Sequence, residues 1–197
     1  VPDQFVDRTN QARNMTFFGD GIAAHIAFAD PVCPELSGIL VRAGKKAGAK
    51  MREGKTYINM EGPAFSTKAE SHLYRSWGMD IIGMTNMAEA KLAREAEICY
   101  ATLACVTDYD CWHMGEGVES VSIDLIVENL RKNVEISKSI LKGAIAAMPE
   151  KRSCACGSSL EHAIITSGDR ISPQVKKRLG LIIGKYVKCP GAPHGGI

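Results

Sequence analysis

Apolar positions along this chain alternate between short continuous runs and three- and four-residue spacings, a pattern that predicts strands alternating with helices. The runs predict strands at Lys55–Met60, Asp80–Met84 and Ile98–Val106. The first residues, Val1–Thr9, resemble the end of a strand and a following loop. Strands that alternate with helices indicate an α/β fold with a mostly parallel or mixed sheet.

The helical spacings predict amphipathic or buried helices between these strands and after the last of them. The predicted helices are Glu35–Lys46, Thr67–Trp77, Met87–Glu97 and Ser120–Met148. Thr67 is followed three residues later by Glu70, which makes a capping box and predicts where the second helix begins.

The character of the chain changes after residue 150, where a polar connector follows the longest helix. Ser172, as a cap, followed by Pro173 predicts a last helix that continues to about Tyr186. The final residues are rich in Gly and Pro, which favours a disordered tail. The pattern therefore divides the chain into one domain over 1–150, a connector with an extra helix over 151–187, and a tail over 188–197.

Composition narrows the classes of function. The 197 residues suffice for one domain with a sizeable core, and 45% hydrophobic with 23% charged residues is ordinary for a soluble globular protein. The net charge of +2, without a long basic run, argues against a nucleic-acid partner. No apolar stretch has the length of a membrane helix and no signal peptide is visible, so we expect a cytoplasmic protein that does not bind membranes.

The cysteines favour a reducing compartment, because their number, seven, is odd and their spacing is not that of a disulfide scaffold. Cys154 and Cys156 stand one residue apart and could form a strained disulfide with a redox role. A zinc site would need further ligands, and His162 alone does not complete one. We therefore expect two free surface thiols and no metal.

Candidate chemistry collects in the loops that follow three predicted strands, namely Glu61–Ser66, Met84–Glu89 and Thr107–Asp110. Folds of this class bind ligands at the carboxyl ends of their strands. Asp108 and Asp110 stand two residues apart and could converge on one ligand. A carboxylate accepts hydrogen bonds when ionised and donates when protonated, so the pair suits an amino-bearing heterocycle with a basic ring nitrogen. Taken alone, such aspartates more often occupy turns or cap helices.

Three ordered segments carry a family resemblance: Glu61–Ser71, Gly83–Glu89 and Thr107–Trp112. Together they resemble the trimeric purine nucleoside phosphorylases, and more closely the S-methyl-5'-thioadenosine phosphorylases among them. Asp3–Thr9 is also similar, and the resemblance covers about Val1–Leu160. It implies a three-layer phosphorylase-like α/β fold whose central mixed sheet is flanked by helices. Residues 1–150 would then be the C-terminal portion of one such domain, truncated at its N-terminus.

The activity implied by the resemblance is phosphorolysis of S-methyl-5'-thioadenosine to adenine and 5-methylthioribose 1-phosphate, a step of methionine and purine salvage. The transition state resembles an oxocarbenium ion, so protonation of the departing purine at N7 is the main chemical demand. Asp110 matches the residue with that role, and partial burial against Phe65 would raise its pKa. Asp108 matches the residue that accepts from the exocyclic amine. Oxopurine members have Asn there and Glu in place of Ser66, so this chain is expected to select a 6-aminopurine.

The resemblance also places residues at the 5' end of the nucleoside. Ile123 matches a position where oxopurine members place a His that meets the 5'-hydroxyl, and an apolar side chain there would favour a methylthio group. Ile126 and Val127 would line the same wall. All three residues are equally compatible with ordinary helix packing.

The remaining site positions follow from the same resemblance. Thr85 matches a phosphate-binding hydroxyl, although it could simply cap the next helix. Met84 would pack on the ribose, Phe65 would stack on the purine, and Thr107 belongs to the substrate-binding segment. His25 matches a residue that reaches a neighbouring subunit's site in a homotrimer or dimer of trimers. No cofactor is implied, and inorganic phosphate is a co-substrate.

Part of the family pattern is absent from the sequence. The family's first portion carries a glycine-rich phosphate loop and an Arg-His pair, and neither stands upstream of Val1. Positioned charge makes phosphate an effective nucleophile, so the chain alone is expected to have little or no activity. Thr166–Ile197 lies beyond the usual family end. The alternatives are a phosphorylase acting on adenosine or methylthioinosine, or a non-catalytic fragment; a hydrolytic nucleosidase is disfavoured because Thr85 matches a phosphate-binding position.

Overall fold

A computed structural model describes residues 1–10, 14–113 and 123–189, with only the backbone described at 123–126. The elements up to residue 150 are β1 Pro2–Arg8, α1 Pro34–Lys46, β2 Lys55–Met60, α2 Lys68–Ser76, β3 Ile81–Gly83, α3 Met87–Glu95 and α4 Ile123–Ala146. They are followed by a 3-10 turn at Ala155–Ser158 and by α5 Pro173–Arg178 and α6 Gly180–Ile183. The predicted alternation of strands and helices is thus confirmed.

The described part of the chain contains a three-stranded sheet in the order β1-β2-β3. Both strand pairs are parallel, with Val6 opposite Ile58 and Ile58 opposite Ile82. Parallel neighbours need crossover connections, and α1 and α2 lie in those connections along the chain. The sheet is therefore parallel over the described residues and not mixed, and its strands end at the same edge.

The boundaries of β3 have a side-chain explanation. Asp80 was predicted to begin the strand, but its carboxylate instead accepts from the Lys55 ammonium at 2.9 Å and the Thr56 backbone N–H at 3.0 Å. These bonds tie the turn before β3 to the start of β2, and regular pairing begins only at Ile81.

The start of α2 follows the predicted capping chemistry, and the start of α1 has a cap that was not predicted. The Thr67 hydroxyl accepts from the Glu70 N–H at 3.2 Å, and the Glu70 carboxylate accepts from the Thr67 N–H at 2.8 Å, which confirms the capping box of α2. At α1, the Cys33 Sγ accepts from the Leu36 N–H at 3.5 Å, and Pro34 occupies the first turn. The predicted start of the longest helix, Ser120, lies outside the described residues.

The predicted strand over Ile98–Val106 is wrong, because this segment forms no ladder with the described strands. Several of its backbone groups bond elsewhere. The carbonyl of Val106 accepts from the Asn133 side chain at 3.0 Å, and that of Tyr100 accepts from the Cys33 N–H at 2.7 Å. The side chains of α4 and the start of α1 supply partners that a neighbouring strand would otherwise provide.

One apolar core lies between α1 and α4. Its buried members are Val1, Ile39, Leu40, Val41, Ala43, Ile140 and Ala144. Ile140 and Ala144 stand four residues apart, so they share one face of α4 and pack against α1. This packing holds the long helix over the segment that follows α3.

The end of the chain forms a second apolar cluster, and its predicted single helix is interrupted at Leu179. The buried members are Ile22, Ile171, Val175, Leu179, Ile183 and Val187. The backbone N–H of His25 donates to the Ala163 carbonyl at 2.8 Å, which joins the loop after β1 to the C-terminal segment. Residues 190–197 of the predicted tail lie outside the described residues. No helix in the described ranges is long and apolar enough to cross a bilayer.

Candidate active site

A cleft of about 860 Å³ opens beside the carboxyl ends of β2 and β3. The loops after these two strands and the segment Thr102–Asp110 line it, as the topology of a parallel sheet favours. Among its lining residues are the predicted Phe65, Ser66, Met84, Thr85, Thr107, Asp108 and Asp110. The fold therefore brings the three predicted loops to one concave surface.

Close approach between two of these loops depends on Gly62. Its φ of +72° is unfavourable for residues with a side chain, and an added Cβ would lie 2.5 Å from the Met84 Sδ. The third loop, which carries Asp110, contacts the first at Ser66, whose carbonyl accepts from the Cys111 thiol at 3.6 Å. Contacts among the loops, and not one continuous element, therefore set the shape of the cleft.

Asp110 is half-buried and firmly held. The Ser71 hydroxyl donates to its Oδ2 at 2.6 Å, and the Cys111 backbone N–H donates to its Oδ1 at 2.8 Å. Ser71 is 1% exposed, so it directs its hydroxyl to the carboxyl from within the molecule. Sequence reasoning assigned Ser71 no role; the available signal was a polar residue on the same buried face of α2 as Tyr74.

Asp108 has a different environment from Asp110, since it is exposed. The Thr107 hydroxyl donates to its Oδ2 at 2.6 Å, and the Thr107 carbonyl accepts from the Asn129 side chain at 2.9 Å. A side chain of α4 thus anchors the backbone that presents Asp108 to the cleft. The two carboxylates are neighbours in sequence but are not equivalent in the structure.

Phe65 lines the cleft but is 86% exposed. Most of its ring faces solvent, so it does not bury the Asp110 carboxyl as the sequence predicted. The partners that hold Asp110 are the polar groups of Ser71 and Cys111. The physical reason is that Phe65 lies at the outer part of its loop, whereas Ser71 belongs to the inner face of α2.

The residue after Thr85 has an unusual backbone, and sequence reasoning gave it no role. Asn86 is buried with a φ of +96°, and its Oδ1 accepts from the Tyr100 hydroxyl at 2.7 Å and the Thr102 hydroxyl at 2.6 Å. Burial raises the pKa of the Tyr100 hydroxyl, which keeps it protonated as a donor. An unfavourable backbone conformation of this kind persists only where surrounding contacts hold it in place. Here the hydrogen bonds to Asn86 orient the loop that carries the exposed Thr85.

Aromatic side chains border the cleft next to Asp110. The Arg75 guanidinium lies 3.7 Å from the ring centroid of Trp112, within cation–π distance. The rings of Tyr109 and His113 lie 4.4 Å apart. The contact between Arg75 and Trp112 therefore connects α2 to the segment after Asp110.

Some predicted site residues are not brought to the cleft. Val127 is 39% exposed on α4 and is not part of the described lining, nor is His25, which is exposed. The side chains of Ile123 and Ile126 lie outside the described part of the structure. The apolar wall predicted for the 5' end of a nucleoside therefore stays a prediction.

A second group of reactive side chains lies apart from the cleft. The Sγ atoms of Cys33, Cys99, Cys154 and Cys156 all lie within 4.8 Å of one another, and all four residues are free cysteines. Cys156 is only 7% exposed and Cys154 is half-buried, so the prediction of two surface thiols was wrong. None of the four is among the described residues that line the cleft.

Comparisons with known proteins agree on one family. The model of the phosphorylase superfamily matches residues 1–146. The S-methyl-5'-thioadenosine phosphorylase of Geobacter sulfurreducens is 56% identical over 95% of this chain and 65% of its own length. That of Koribacter versatilis is 58% identical over 94% of this chain and 63% of its own length. The chain thus spans less than two thirds of the length of these curated relatives. Their alignments include part of Thr166–Ile197, which was expected from the sequence to lie beyond the family's usual end.

Solved structures give the same result. A methylthioadenosine phosphorylase from an antarctic soil metagenomic library superimposes with a TM-score of 0.84 and 48% identity, over 92% of this chain and 63% of that chain. A mutant adenosine/methylthioadenosine phosphorylase of Schistosoma mansoni, solved in complex with adenine, superimposes with a TM-score of 0.71 and 29% identity. That match covers 82% of this chain and 61% of that chain.

Proposed function

The chain belongs to the phosphorylase superfamily, and from that premise we propose that it acts in the phosphorolysis of S-methyl-5'-thioadenosine to adenine and 5-methylthioribose 1-phosphate. The observation that carries this proposal is the pair of unlike carboxylates at one cleft, with Asp110 anchored and Asp108 exposed. The substrate is inferred from the relatives, which are named S-methyl-5'-thioadenosine phosphorylases.

Departure of the purine is assigned to Asp110. In its protonated form this carboxyl would donate to N7 of the base while the glycosidic bond breaks, which stabilises the leaving group. Bonds from Ser71 and Cys111 fix the orientation of the carboxyl before substrate arrives. A preset orientation matters because proton transfer requires the acid to lie within hydrogen-bonding distance of its target.

Selection of the base is assigned to Asp108. The Thr107 hydroxyl donates a hydrogen bond to Oδ2 of Asp108, and Oδ1 would accept one from the exocyclic amine of adenine. An ionised carboxylate has no proton to offer the carbonyl oxygen of a 6-oxopurine, so hypoxanthine would leave a polar group unpaired. Ser66 would lie beside the base, and Phe65 would cover its face from the solvent side.

Binding of phosphate and of the sugar is assigned to the loop after β3. The exposed Thr85 hydroxyl would donate to a phosphate oxygen, held in place by the buried Asn86 next to it. Half-buried Met84 would pack on the ribose. Ile123, Ile126 and Val127 would form an apolar wall for the methylthio group, an assignment supported by the resemblance alone.

We propose further the co-substrate, the oligomeric state and the cellular compartment. Inorganic phosphate is the co-substrate, and no cofactor is required. The native assembly is a homotrimer or a dimer of trimers, in which exposed His25 reaches the site of a neighbouring subunit. The protein is cytoplasmic and serves methionine and purine salvage.

A second candidate is phosphorolysis of adenosine itself. It is favoured by the structural neighbour from Schistosoma mansoni, which is named for both adenosine and methylthioadenosine. Comparison of kcat/KM for 5'-methylthio and 5'-hydroxyl substrates separates the two candidates, because an apolar wall rejects a hydroxyl that has no hydrogen-bond partner.

The test uses the 197-residue chain in two measurements. Calorimetric titration with adenine and with hypoxanthine reports base recognition, and liberation of adenine from methylthioadenosine, with and without phosphate, reports the reaction. We expect adenine to bind more tightly than hypoxanthine and any turnover to require phosphate. Equal binding of both bases, or adenine release without phosphate, would overturn the proposal.

A further inference from the structure

Four thiols from three separate parts of the chain meet at one point. Cys33 precedes α1, Cys99 follows α3, and Cys154 and Cys156 belong to the connector after α4, yet their Sγ atoms all lie within 4.8 Å of one another. Cys33 is 1% and Cys156 7% exposed, so the cluster is partly shielded from water. The chemistry proposed for the cleft uses none of these residues.

We propose that this thiol cluster binds one zinc ion as a tetrahedral tetrathiolate site. Four cysteine ligands are a donor set of structural zinc sites, with Zn–S distances of about 2.3 Å. A tetrahedron of that size places its sulfurs about 3.8 Å apart, which fits inside the 4.8 Å that encloses all four Sγ atoms. Small side-chain adjustments would therefore complete the coordination.

The neighbouring groups suit bound thiolates. The Leu36 backbone N–H donates to the Cys33 Sγ at 3.5 Å, and Arg152 stands two residues before the ligand Cys154. A zinc ion with four thiolates carries a net charge of about −2. The Arg152 guanidinium offsets part of that charge, and outer-shell donors of this kind orient the ligands of metal sites.

Contacts outside the cluster bring the connector into place. The Glu35 carboxylate accepts from the Ser153 N–H at 3.0 Å and the Cys154 N–H at 3.2 Å, which holds the connector against the first turn of α1. The Arg152 guanidinium donates to the Glu97 carbonyl at 2.6 Å and ties the connector to the segment just after α3. Contacts that do not involve sulfur therefore help to bring the cysteines together.

The bound ion would have a structural role. Four protein ligands leave no coordination position for water or substrate. Binding displaces the thiol protons into solvent and changes no oxidation state, so no oxidant or reductant is needed. The ion would join α1, the segment after α3 and the connector, and so stabilise the position of the connector on the domain.

The experiment measures zinc in the 197-residue chain, purified under reducing conditions and dialysed against metal-free buffer. Mass spectrometry of the metal should give about one zinc per chain, and a mercurial reagent should release it to a colorimetric chelator. Replacement by Co²⁺ should give the thiolate charge-transfer and visible bands of a tetrahedral site.

Two variants make the measurement specific. Cys154→Ser removes one ligand at a half-buried position and should weaken zinc binding by more than about 10- to 100-fold, the loss that outer-shell changes alone can cause. Cys189→Ser, at a free cysteine outside the cluster, should retain the metal of the original chain.

Three outcomes would overturn the proposal. One is a chain that takes up no zinc after reconstitution while all four thiols react with an alkylating reagent. Another is a disulfide within the cluster in the non-reduced protein digest, and the third is full zinc retention by Cys154→Ser. No substrate enters these measurements, so their result is independent of the proposed phosphorolysis.

Discussion

Asp108 and Asp110 acquire different chemistry from the side chains around them. Buried Ser71 and a backbone N–H hold both oxygens of Asp110, whereas Asp108 is exposed and has one hydroxyl donor from its own neighbour, Thr107. A carboxyl with a fixed direction suits proton transfer, and an exposed ionised acceptor suits recognition of an amine. The difference makes the two residues separable by substitution.

Asp108→Asn should change base preference. The amide can donate to a 6-oxo group but loses the charged acceptor for an amine, so adenine affinity should fall by about 10- to 100-fold, equivalent to about 1.5–3 kcal/mol. Calorimetric titration with adenine and hypoxanthine measures the change. Asp169→Asn, at an exposed carboxylate outside the described cleft lining, is the control. An unaltered adenine-to-hypoxanthine ratio in Asp108→Asn contradicts the assigned role.

Ser71→Ala should reduce turnover without much effect on substrate binding. Loss of the 2.6 Å hydrogen bond frees the Asp110 carboxyl to rotate, and misdirected proton transfer should lower kcat by about 10- to 100-fold. Since little turnover is expected of the 197-residue chain alone, the assays use a high protein concentration, and steady-state kinetics then separates kcat from KM. Ser76→Ala on the same helix removes a hydroxyl that donates to the Leu73 carbonyl and should leave kcat unchanged. A rise in KM alone would show that Ser71 does not position the acid.

Among the elements, α3 is connected to the sheet by two side-chain hydrogen bonds, one to β2 and one to β1. Asn59 in β2 is 0% exposed and its Oδ1 accepts from the Met87 N–H at 3.0 Å, which fixes the first turn of α3. Lys91, one turn further, donates to the Asp7 carboxylate in β1 at 2.9 Å. The loop that carries Thr85 is therefore held between two anchored elements.

The bond between β1 and α3 predicts a pH-dependent stability. Burial acts to raise the pKa of Asp7, but hydrogen bonds from Thr9 and Lys91 outweigh it and lower that pKa below its usual 3.8. Because the folded-state pKa is depressed, the stabilisation is present above the unfolded-state pKa and disappears as the pH falls through the folded-state value. Asp7→Asn should therefore reduce the free energy of unfolding at pH 7 by about 1 kcal/mol.

Urea unfolding of Asp7→Asn and the original chain at pH 7 and again at acidic pH checks this prediction. The difference between the two proteins should shrink as the pH falls below about 4, where the carboxyl of the unfolded chain is protonated. Asp3→Asn, at an exposed carboxylate of the same strand, should change little. A difference that does not vary with pH would show that the effect of Asp7 is steric and not ionic.

On the scale of the whole molecule, the C-terminal segment packs as part of the domain. Its apolar cluster includes Ile22 from the loop after β1, and the Ala23 N–H donates to the Thr166 hydroxyl at 2.8 Å. Glu97, just after α3, accepts from the Leu160 N–H at 3.1 Å and from the Tyr186 hydroxyl at 2.5 Å. These contacts attach the last described residues to two regions that are distant in sequence.

Ile183→Ala should test this attachment, because Ile183 is 0% exposed in the cluster. The cavity left by the deletion should cost about 2–5 kcal/mol, measured by urea unfolding. Limited proteolysis should then cut the C-terminal segment earlier. Leu181→Ala on the same short helix removes a side chain that is 93% exposed and should change stability by less than about 0.5 kcal/mol. Equal effects of the two substitutions would contradict burial of this face.

Much of the fold was predictable from the sequence because the signals are local. The capping box at Thr67, the apolar run of β2 and the spacing of α1 depend on residues within a few positions of one another, and the structure confirms all three. The failures are not local. Ile98–Val106 has the composition of a strand, yet side chains of α4, such as Asn133, supply its partners. The last helix breaks at Leu179, which packs into a cluster that includes Ile22.

The sequence by itself determined the identity and order of the chemical groups: the two aspartates, the threonine after β3 and the loops that carry them. Only the tertiary structure decided their partners. Ser71 meets Asp110 across 39 residues, and Cys99 meets Cys154 across 55. Local propensity reports on neighbouring residues, whereas packing and loop contacts set which distant side chains face each other. The orientation of the acid, and the union of four thiols at one point, are therefore properties of the folded chain.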